Sequence, residues 1–207
     1  MRINKAEHLK HPWRVHRLLP DFRIEDTWLL PIKLDESQSI SEVQAVFTQS
    51  LAETANTGVA GLLFKFRLFL GRVFGWEDEA KSISSLPAGS IRARYADQES
   101  MQPKEFLAKG FGDFMPVYDL GLETLAEIEN KTVLAACHLG KVMVGENTYA
   151  IHLTIYVKPK GLFGQIYMQI IKPFRHYIVY PVMLKIIGKQ WAKYKSKMAS
   201  GNPSFPD

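Results

Sequence analysis

The chain has 207 residues and a formal net charge of +5, with 46% hydrophobic and 23% charged residues, which is an ordinary globular composition. This composition excludes a disordered or collagen-like chain, and the single cysteine, Cys137, excludes a disulfide scaffold and a multi-cysteine zinc site. We predict one domain over residues 1–199 and a flexible tail over residues 200–207. The lone cysteine and the lack of an apolar leader after Met1 predict a cytoplasmic protein.

The basic residues are concentrated towards the C-terminal end of the chain. Residues 147–207 contain nine lysines and arginines but one acid, Asp207, whereas residues 1–146 contain 17 basic and 20 acidic residues. Such an excess of one sign favours a surface that attracts phosphate groups. A solvated basic face that serves only solubility is the alternative interpretation.

The first part of the chain predicts one strand and two helices. Residues 21–31 alternate apolar and polar side chains, as a half-buried strand does. The spacing of Ser39 and Glu42 is typical of a capping box and predicts a helix. Its apolar face is formed by Ile40, Val43, Phe47 and Leu51. Residues 59–74 predict a second helix that is apolar nearly all round, as a helix that is buried, covers a cavity or meets a membrane would be.

The middle of the chain predicts an antiparallel meander. Alternating residues indicate strands at 91–95, 114–120, 122–129, 132–139 with a possible extension to 144, and 149–157. Asn130 and Lys131 predict a tight hairpin turn. With the first strand, these segments make an α+β fold with a single antiparallel sheet of at least five strands.

The last element is a long helix over residues 162–195. Its apolar stripe recurs at spacings of three and four and comprises Phe163, Ile166, Ile170, Phe174, Tyr177, Pro181, Leu184, Gly188 and Trp191. Because the stripe keeps its phase through Pro173 and Pro181, one kinked helix is favoured over three short ones. We expect Ile166, Ile170 and Phe174 to face the sheet. The residues placed on the opposite, anion-facing side are Lys172, Arg175, Lys189 and Lys193.

Residues that could carry chemistry are few. Cys137 and His138 are adjacent, but successive strand side chains point to opposite faces, so they cannot form a dyad and Cys137 is expected to be an inert core thiol. His138 and His152 lie on strands predicted to be neighbours, yet no third ligand is placed beside them. We therefore predict no catalytic residue, no metal and no cofactor.

Two further polar groups are interpreted as surface features. Glu123, Glu127 and Glu129 share one strand face, which is more typical of a solvated face than of paired catalytic carboxylates. His8, His11 and His16 cluster near Trp13 without an apolar pattern that would bury them. We expect these histidines to lie on a surface arm.

Small side chains on strand 132–139 are predicted to face large ones on the last helix. Interdigitation at native packing density is one interpretation. An apolar cavity with a few polar groups is the other, as in many ligand pockets. Its lining residues would be Trp28, Tyr95, Cys137, Ile151, Leu153, Ile155, Ile170, Phe174 and Tyr177.

The order of a strand, two helices, several antiparallel strands and a long C-terminal helix resembles the helix-grip fold of the START-like and birch-pollen-allergen-like superfamily. DFRIEDTWLLP, LLFKFRLFLGRVFGW, LAEIENKTVLAACHLG and the block from Ile155 to Trp191 are similar to a bacterial family of unknown function in that superfamily. The resemblance covers most of residues 13–191. It implies a curved antiparallel sheet wrapped around the last helix, with a lipophilic molecule bound between them.

Three functions from different classes follow from these patterns. Non-catalytic binding or carriage of a lipophilic small molecule is favoured, because the apolar interior agrees with the resemblance. Peripheral docking of the basic C-terminal helix on an anionic membrane or partner is the alternative, with weak and salt-sensitive attachment. An enzyme acting on a hydrophobic substrate would have His138, His152, Tyr95 and Tyr149 for proton transfer. Nucleic acid is not expected, because the basic face lacks interleaved aromatics for base stacking.

Overall fold

A computed structural model of the chain describes residues 1–56, 58, 61, 89–99, 114–129 and 132–200. The helices α1 to α4 are Lys5–Leu9, Arg14–Leu18, Ile40–Ala55 and Ile91–Glu99. The strands β1 to β5 are Arg23–Leu29, Met115–Asp119, Glu123–Glu129, Val133–Gly145 and Thr148–Pro159. Helix α5 (Gly161–Phe174) continues through a π-helical turn (Arg175–Val179) into α6 (Tyr180–Ala199). The helix predicted at 59–74, the turn at Asn130 and Lys131 and the tail beyond 200 lie outside the described residues.

The five strands form one antiparallel sheet in the order β1-β5-β4-β3-β2, which is not closed. The predicted α+β class, antiparallel sheet and long C-terminal helix are therefore confirmed. Residues 1–3 lie along the outer edge of β1, where the Ile3 amide donates to the Thr27 carbonyl at 3.1 Å. This pairing covers an edge that would otherwise expose unpaired backbone groups.

One predicted strand is wrong. Residues 91–95 belong to helix α4 rather than to the sheet. The Ser90 hydroxyl accepts a hydrogen bond from the Ala93 amide at 3.0 Å, and the Glu127 side chain accepts one from the Ile91 amide at 2.6 Å. These acceptors satisfy amides that a first helical turn leaves free, and one of them comes from a distant strand.

The capping box of α3 is confirmed, because the Ser39 hydroxyl accepts from the Glu42 amide at 3.3 Å.

Both faces of the sheet are covered. Face A, which contains Cys137 and Leu153, packs under α3 and α6. Face B, which contains Ala136 and Tyr156, packs under the N-terminal arm, residues 1–19, and under α4. The expected surface arm is therefore wrong. Gly140 of β4 allows Trp13 of the arm to lie close to the sheet, since a Cβ at position 140 would lie 2.7 Å from Cζ2 of Trp13.

The C-terminal helix is continuous, as predicted, but its first half buries a different side. Ile166, Ile170 and Phe174 are 51%, 61% and 45% exposed, so the expectation that they face the sheet is wrong. The residues of α5 that are buried are Gly164 and Met168. The buried side of α6 comprises Tyr180, Met183, Ile186, Ile187, Trp191 and Tyr194. The predicted stripe also fails in part on α6, where Trp191 is buried but Pro181 is exposed and Leu184 and Gly188 are half-buried. The π-helical turn has more residues than an α-helical turn, so a stripe of constant helical period loses its phase there.

Gly164 sets the close approach of α5 to the start of β4, because a Cβ at this position would overlap the carbonyl oxygen of Thr132. We expect Gly164→Ala to lower the free energy of unfolding by about 1–3 kcal/mol, as overpacking does. Gly188→Ala on α6 is the matched control, since its Cβ would meet Pro31 at an ordinary 3.5 Å. The control is expected to be stabilising by up to about 1 kcal/mol because alanine is the better helix former. Denaturant titration compares the two variants, and equal effects would contradict this packing.

Candidate functional site

The nine residues predicted to line a cavity are not brought together. Trp28, Cys137, Ile151 and Leu153 lie in one buried cluster on face A, and Ile155 packs against it. The Trp28 ring lies 4.8 Å from the Tyr180 ring, so aromatic side chains occupy the space between β1 and α6. Tyr95 lies on face B in a separate cluster. Ile170, Phe174 and Tyr177 are exposed, so they do not contribute to an interior wall.

Cys137 behaves as the sequence predicts. Its side chain is buried on face A, and the cysteine is free. Burial raises the pKa of the thiol far above its usual range, so the reactive thiolate is not formed.

The exposed side of α5 and the following turn forms what we call the apolar face. It is defined by Leu162, Ile166, Ile170, Phe174 and Tyr177, whose exposed fractions range from 45% for Phe174 to 82% for Tyr177. They recur at spacings of three and four, which places them along one side of the helix. Contiguous exposure of large apolar side chains is typical of a surface that meets a partner or a membrane.

Buried acids of β1 hold the turn that follows the apolar face. Asp26 accepts a hydrogen bond from the Tyr180 hydroxyl at 2.9 Å and another from His176. Arg175 donates to Glu25 at 2.9 Å and also lies 3.3 Å from the Asp26 carboxylate. Asp26 is 1% exposed, so these partners compensate a carboxylate removed from water.

The predicted anion-facing residues divide into two groups. Arg175 is paired with the acids of β1 and only its outer part reaches solvent, so it is not a free cation on the surface. Lys189 and Lys193 are exposed, and Lys172 is half-buried. No aspartate or glutamate occurs between Gly161 and Ala199. The charge along this helix is therefore of one sign.

Five histidines meet between the arm and face B, and we call them the histidine cluster. His8, at 0% exposed, is its centre. Its ring centroid lies 5.2 Å from that of His16, 5.3 Å from that of His138 and 6.0 Å from that of His152. His11 joins through His152, with ring centroids 5.4 Å apart. The sequence pattern predicts only the proximity of His138 and His152.

Hydrogen bonds connect this cluster to the sheet. His8 bonds to the Tyr156 hydroxyl at 2.7 Å through Nε2 and to the Thr154 hydroxyl at 3.2 Å through Nδ1. The Tyr156 hydroxyl also bonds to Nδ1 of His16 at 3.2 Å. Within the described residues, Nδ1 of His138, Nδ1 of His152 and Nε2 of His11 and of His16 are buried without a hydrogen-bond partner. The cluster is thus a polar group of side chains in which four buried ring nitrogens have no hydrogen-bond partner among the described residues.

The expected solvated glutamate face is wrong for two of its three residues. Glu123 and Glu127 are buried, while Glu129 is exposed. Glu123 accepts from the Tyr118 hydroxyl at 2.8 Å and bonds to Nε2 of His138 at 3.0 Å. Glu127 accepts from the Arg92 guanidinium at 2.8 Å. Strand alternation correctly placed these acids on one face, but it could not show that the arm and α4 cover that face.

Burial favours the neutral form of four imidazoles of the cluster, those of His8, His16, His138 and His152. Desolvation, reinforced by the neighbouring histidines, lowers the pKa of His8 to about 2. Desolvation and then His11 lower the pKa of His152 to about 4. Burial also lowers the pKa values of His16 and His138, although Glu123 opposes it in both. These shifts follow from removing a cationic form from water and placing it beside other cations.

Two further properties bear on the kind of site. Within the described ranges, no group of three or more histidine, cysteine, aspartate or glutamate side chains is placed to hold a metal ion. Of the helices that the structure describes, none has both the length and the apolar character needed to cross a bilayer.

The fold and its surfaces define an α+β protein with an open antiparallel sheet, helices on both faces and an exposed apolar helix side near the C-terminal end. The chain belongs to a family described as protein of unknown function (DUF2867), whose model matches residues 18–182. Three of the clustered histidines, His8, His11 and His16, precede the matched residues. No curated protein matched the chain, and no solved structure did.

Proposed function

We propose that the protein is a peripheral module that docks reversibly on an anionic lipid surface through the apolar face of α5. The observation that carries the proposal is the run of exposed large side chains from Leu162 to Tyr177 on one side of that helix. A helix of this kind lies in the plane of a lipid interface with its apolar side buried among the headgroups and acyl chains. Phe174 and Tyr177 suit that boundary, where aromatic rings are favoured.

The charge of the helix favours a lipid surface over a second copy of the chain. The segment from Gly161 to Ala199 carries basic residues and no acid, and Lys185, Lys189 and Lys193 are exposed. Pairing two such helices would bring like charges together, whereas an anionic lipid surface neutralises them. Each basic residue close to that surface contributes about 1 kcal/mol.

We also infer that the fold is a variant of the helix-grip fold of the START-like superfamily. The support is the five-stranded antiparallel sheet with α6 packed on face A. The departure is α5, which turns its large apolar side chains outward. In this variant, the lipophilic partner meets the outer side of the helix instead of the space between helix and sheet.

The contribution of the apolar face is tested by Ile170→Gln. Burying an isoleucine in lipid contributes about 1.5–3 kcal/mol, so its loss is expected to weaken partition into vesicles about 10- to 100-fold. Met143→Gln is the matched control, because Met143 is 65% exposed on β4 and is not part of the apolar face. Co-sedimentation with vesicles of phosphatidylcholine and phosphatidylserine measures both variants. Equal binding of Ile170→Gln and the wild type would contradict the proposal.

The contribution of charge is tested by salt and by lipid composition. Binding to vesicles that contain phosphatidylserine is expected at low salt and is expected to weaken as the salt rises to 0.15 M, where the Debye length falls to about 8 Å. The double variant Lys189→Glu, Lys193→Glu is expected to bind more weakly than the wild type even at low salt. Equal recovery on neutral and anionic vesicles, or no effect of salt, would leave the basic residues as a solubility feature.

Carriage of a lipophilic small molecule in an interior cavity stays a prediction. Its own test is Ala135→Leu, which would fill space on face A beneath α5. Carriage would be supported if the wild type takes up a fluorescent lipophile from solution and this variant blocks the uptake with little loss of stability. A loss of about 1–3 kcal/mol in the free energy of unfolding would indicate a solid core.

A further inference from the structure

The N-terminal arm is held to face B by histidines whose rings lie close to one another. His8, His11 and His16 come from the arm, while His138 and His152 come from β4 and β5. His8 touches three of the other four rings at centroid distances between 5.2 and 6.0 Å. A neutral imidazole accepts at one nitrogen and donates at the other, which matches the two bonds of His8 to Tyr156 and Thr154. A protonated His8 could keep both bonds, because each hydroxyl can also accept, but its charge would lie at contact distance from other imidazoles that take up protons in the same pH range.

The surroundings offer little negative charge to offset protonation. The Glu123 carboxylate bonds to His138, and it also accepts from the Tyr118 hydroxyl and the Arg14 amide. Glu7 is paired with Lys10 at 2.7 Å on the exposed side of α1. The charged and titratable groups around the cluster are Glu7 from α1, Lys10 directly after α1, Arg14 from α2, Tyr95 and Glu99 from α4, Tyr118 from β2, Glu123 from β3 and Tyr156 from β5. Against the positive charges that protonation would place on His8, His16, His138 and His152, these groups leave a net repulsion.

We propose that the arm is an acid-released latch: protonation of the histidine cluster detaches residues 4–19 from face B while the sheet itself persists. The cluster lies between the arm and the sheet, so detachment gives all five imidazoles access to water in one step. The buried apolar contacts of Val15 and Leu18 oppose release. Release therefore depends on several protons, and the response to pH is steep. This inference is independent of lipid binding.

The direction of the pH effect follows from the lowered pKa values. A histidine with a pKa below its solvated value of about 6.5 binds its proton more readily in the released state, so acid favours release. As the pH falls, the ratio of released to docked arm rises about tenfold per pH unit for each such histidine. This holds between the pKa of the histidine in the released state and its lower pKa in the docked state. For His8 and His152, with pKa values of about 2 and about 4, this gives about 100-fold per unit between pH 6 and pH 4.5. Above pH 7 the four histidines with lowered pKa values are neutral in both states, so their effect on release vanishes.

Amide hydrogen exchange tests the latch on the full chain. Peptides covering residues 8–19 and peptides from β4 and β5 are compared between pH 7.5 and pH 5, with rates corrected for the intrinsic pH dependence of exchange. Protection of the arm is expected to fall at least tenfold from pH 6.5 to pH 5.5 while the central strands keep theirs. His8→Gln and His152→Gln are each expected to reduce this slope. His176→Gln is the control, because His176 pairs with Asp26 away from the cluster.

Three results would overturn the proposal. Arm protection that does not change with pH would show that the histidines do not control docking. Simultaneous loss of protection in the arm and the central strands would show global unfolding instead of a latch. An unchanged slope in His152→Gln would assign the pH dependence to other groups. This variant remains informative if His8→Gln does not fold, because Nδ1 of His152 has no hydrogen-bond partner among the described residues.

Discussion

Replacing Asp26 by alanine is expected to lower the free energy of unfolding by about 3–5 kcal/mol, as removal of one member of a buried ion pair does. The Asp26 carboxylate is buried and accepts from Tyr180 at 2.9 Å and from His176, with Arg175 at 3.3 Å. The variant leaves the Tyr180 hydroxyl buried without its acceptor and leaves Arg175 with Glu25 alone. Chemical denaturation of both proteins at neutral pH measures the difference.

Glu129→Ala is the matched control for Asp26→Ala. Glu129 also forms an ion pair, with Lys160 at 2.6 Å, but both side chains are substantially exposed. Exposed pairs contribute about 0–1 kcal/mol because water and salt screen them. Similar losses in the two variants would contradict the role of Asp26 in fastening the turn between α5 and α6 to β1.

Ile187→Ala is expected to lower the free energy of unfolding by about 2–5 kcal/mol, whereas Ile170→Ala is expected to change it by less than about 0.5 kcal/mol. Both residues lie on the C-terminal helix, but Ile187 is 1% exposed and Ile170 is 61% exposed. The same deletion thus creates a cavity at one position and alters only the surface at the other. Thermal and denaturant unfolding of the two variants provide the comparison. A large loss for Ile170→Ala would show that the apolar face is buried in solution.

Local patterns predicted the five strands of the sheet, helix α3 and the long C-terminal helix, but not α1, α2 or α4. Alternation identified β1 to β5 because each strand has side chains pointing to two faces, and the spacing of Ser39 and Glu42 marked the start of α3. Alternation failed at residues 91–95, where the pattern of Ile91, Ala93 and Tyr95 also fits a short helix. The deciding contact is the Glu127 side chain on the Ile91 amide, which joins residues 36 positions apart. No local pattern contains that information.

The two surfaces that matter for function were harder to predict. The sequence shows the stripe of Ile166, Ile170 and Phe174, but the π-helical turn, where a constant helical period loses its phase, has no reliable sequence signal. The histidine cluster depends on tertiary contacts between residues up to 148 positions apart, such as His8 and Tyr156. One signal was available, since His152, Thr154 and Tyr156 place polar groups on one face of β5. A polar face on a central strand needs a polar partner, and the arm has three histidines.

Lipid docking by the apolar face is tested most directly by a nitroxide spin label attached at Ile170→Cys. Cys137 is buried and stays protonated, so the introduced cysteine is labelled selectively. With vesicles of phosphatidylcholine and phosphatidylserine at low salt, the label is expected to gain collisions with oxygen and to lose collisions with a water-soluble nickel chelate. The same label at Met143→Cys, which is exposed on β4, is expected to show no change. If the label at position 170 stays as accessible to the nickel chelate with vesicles as without them, the apolar face does not enter the lipid and the proposed function is wrong.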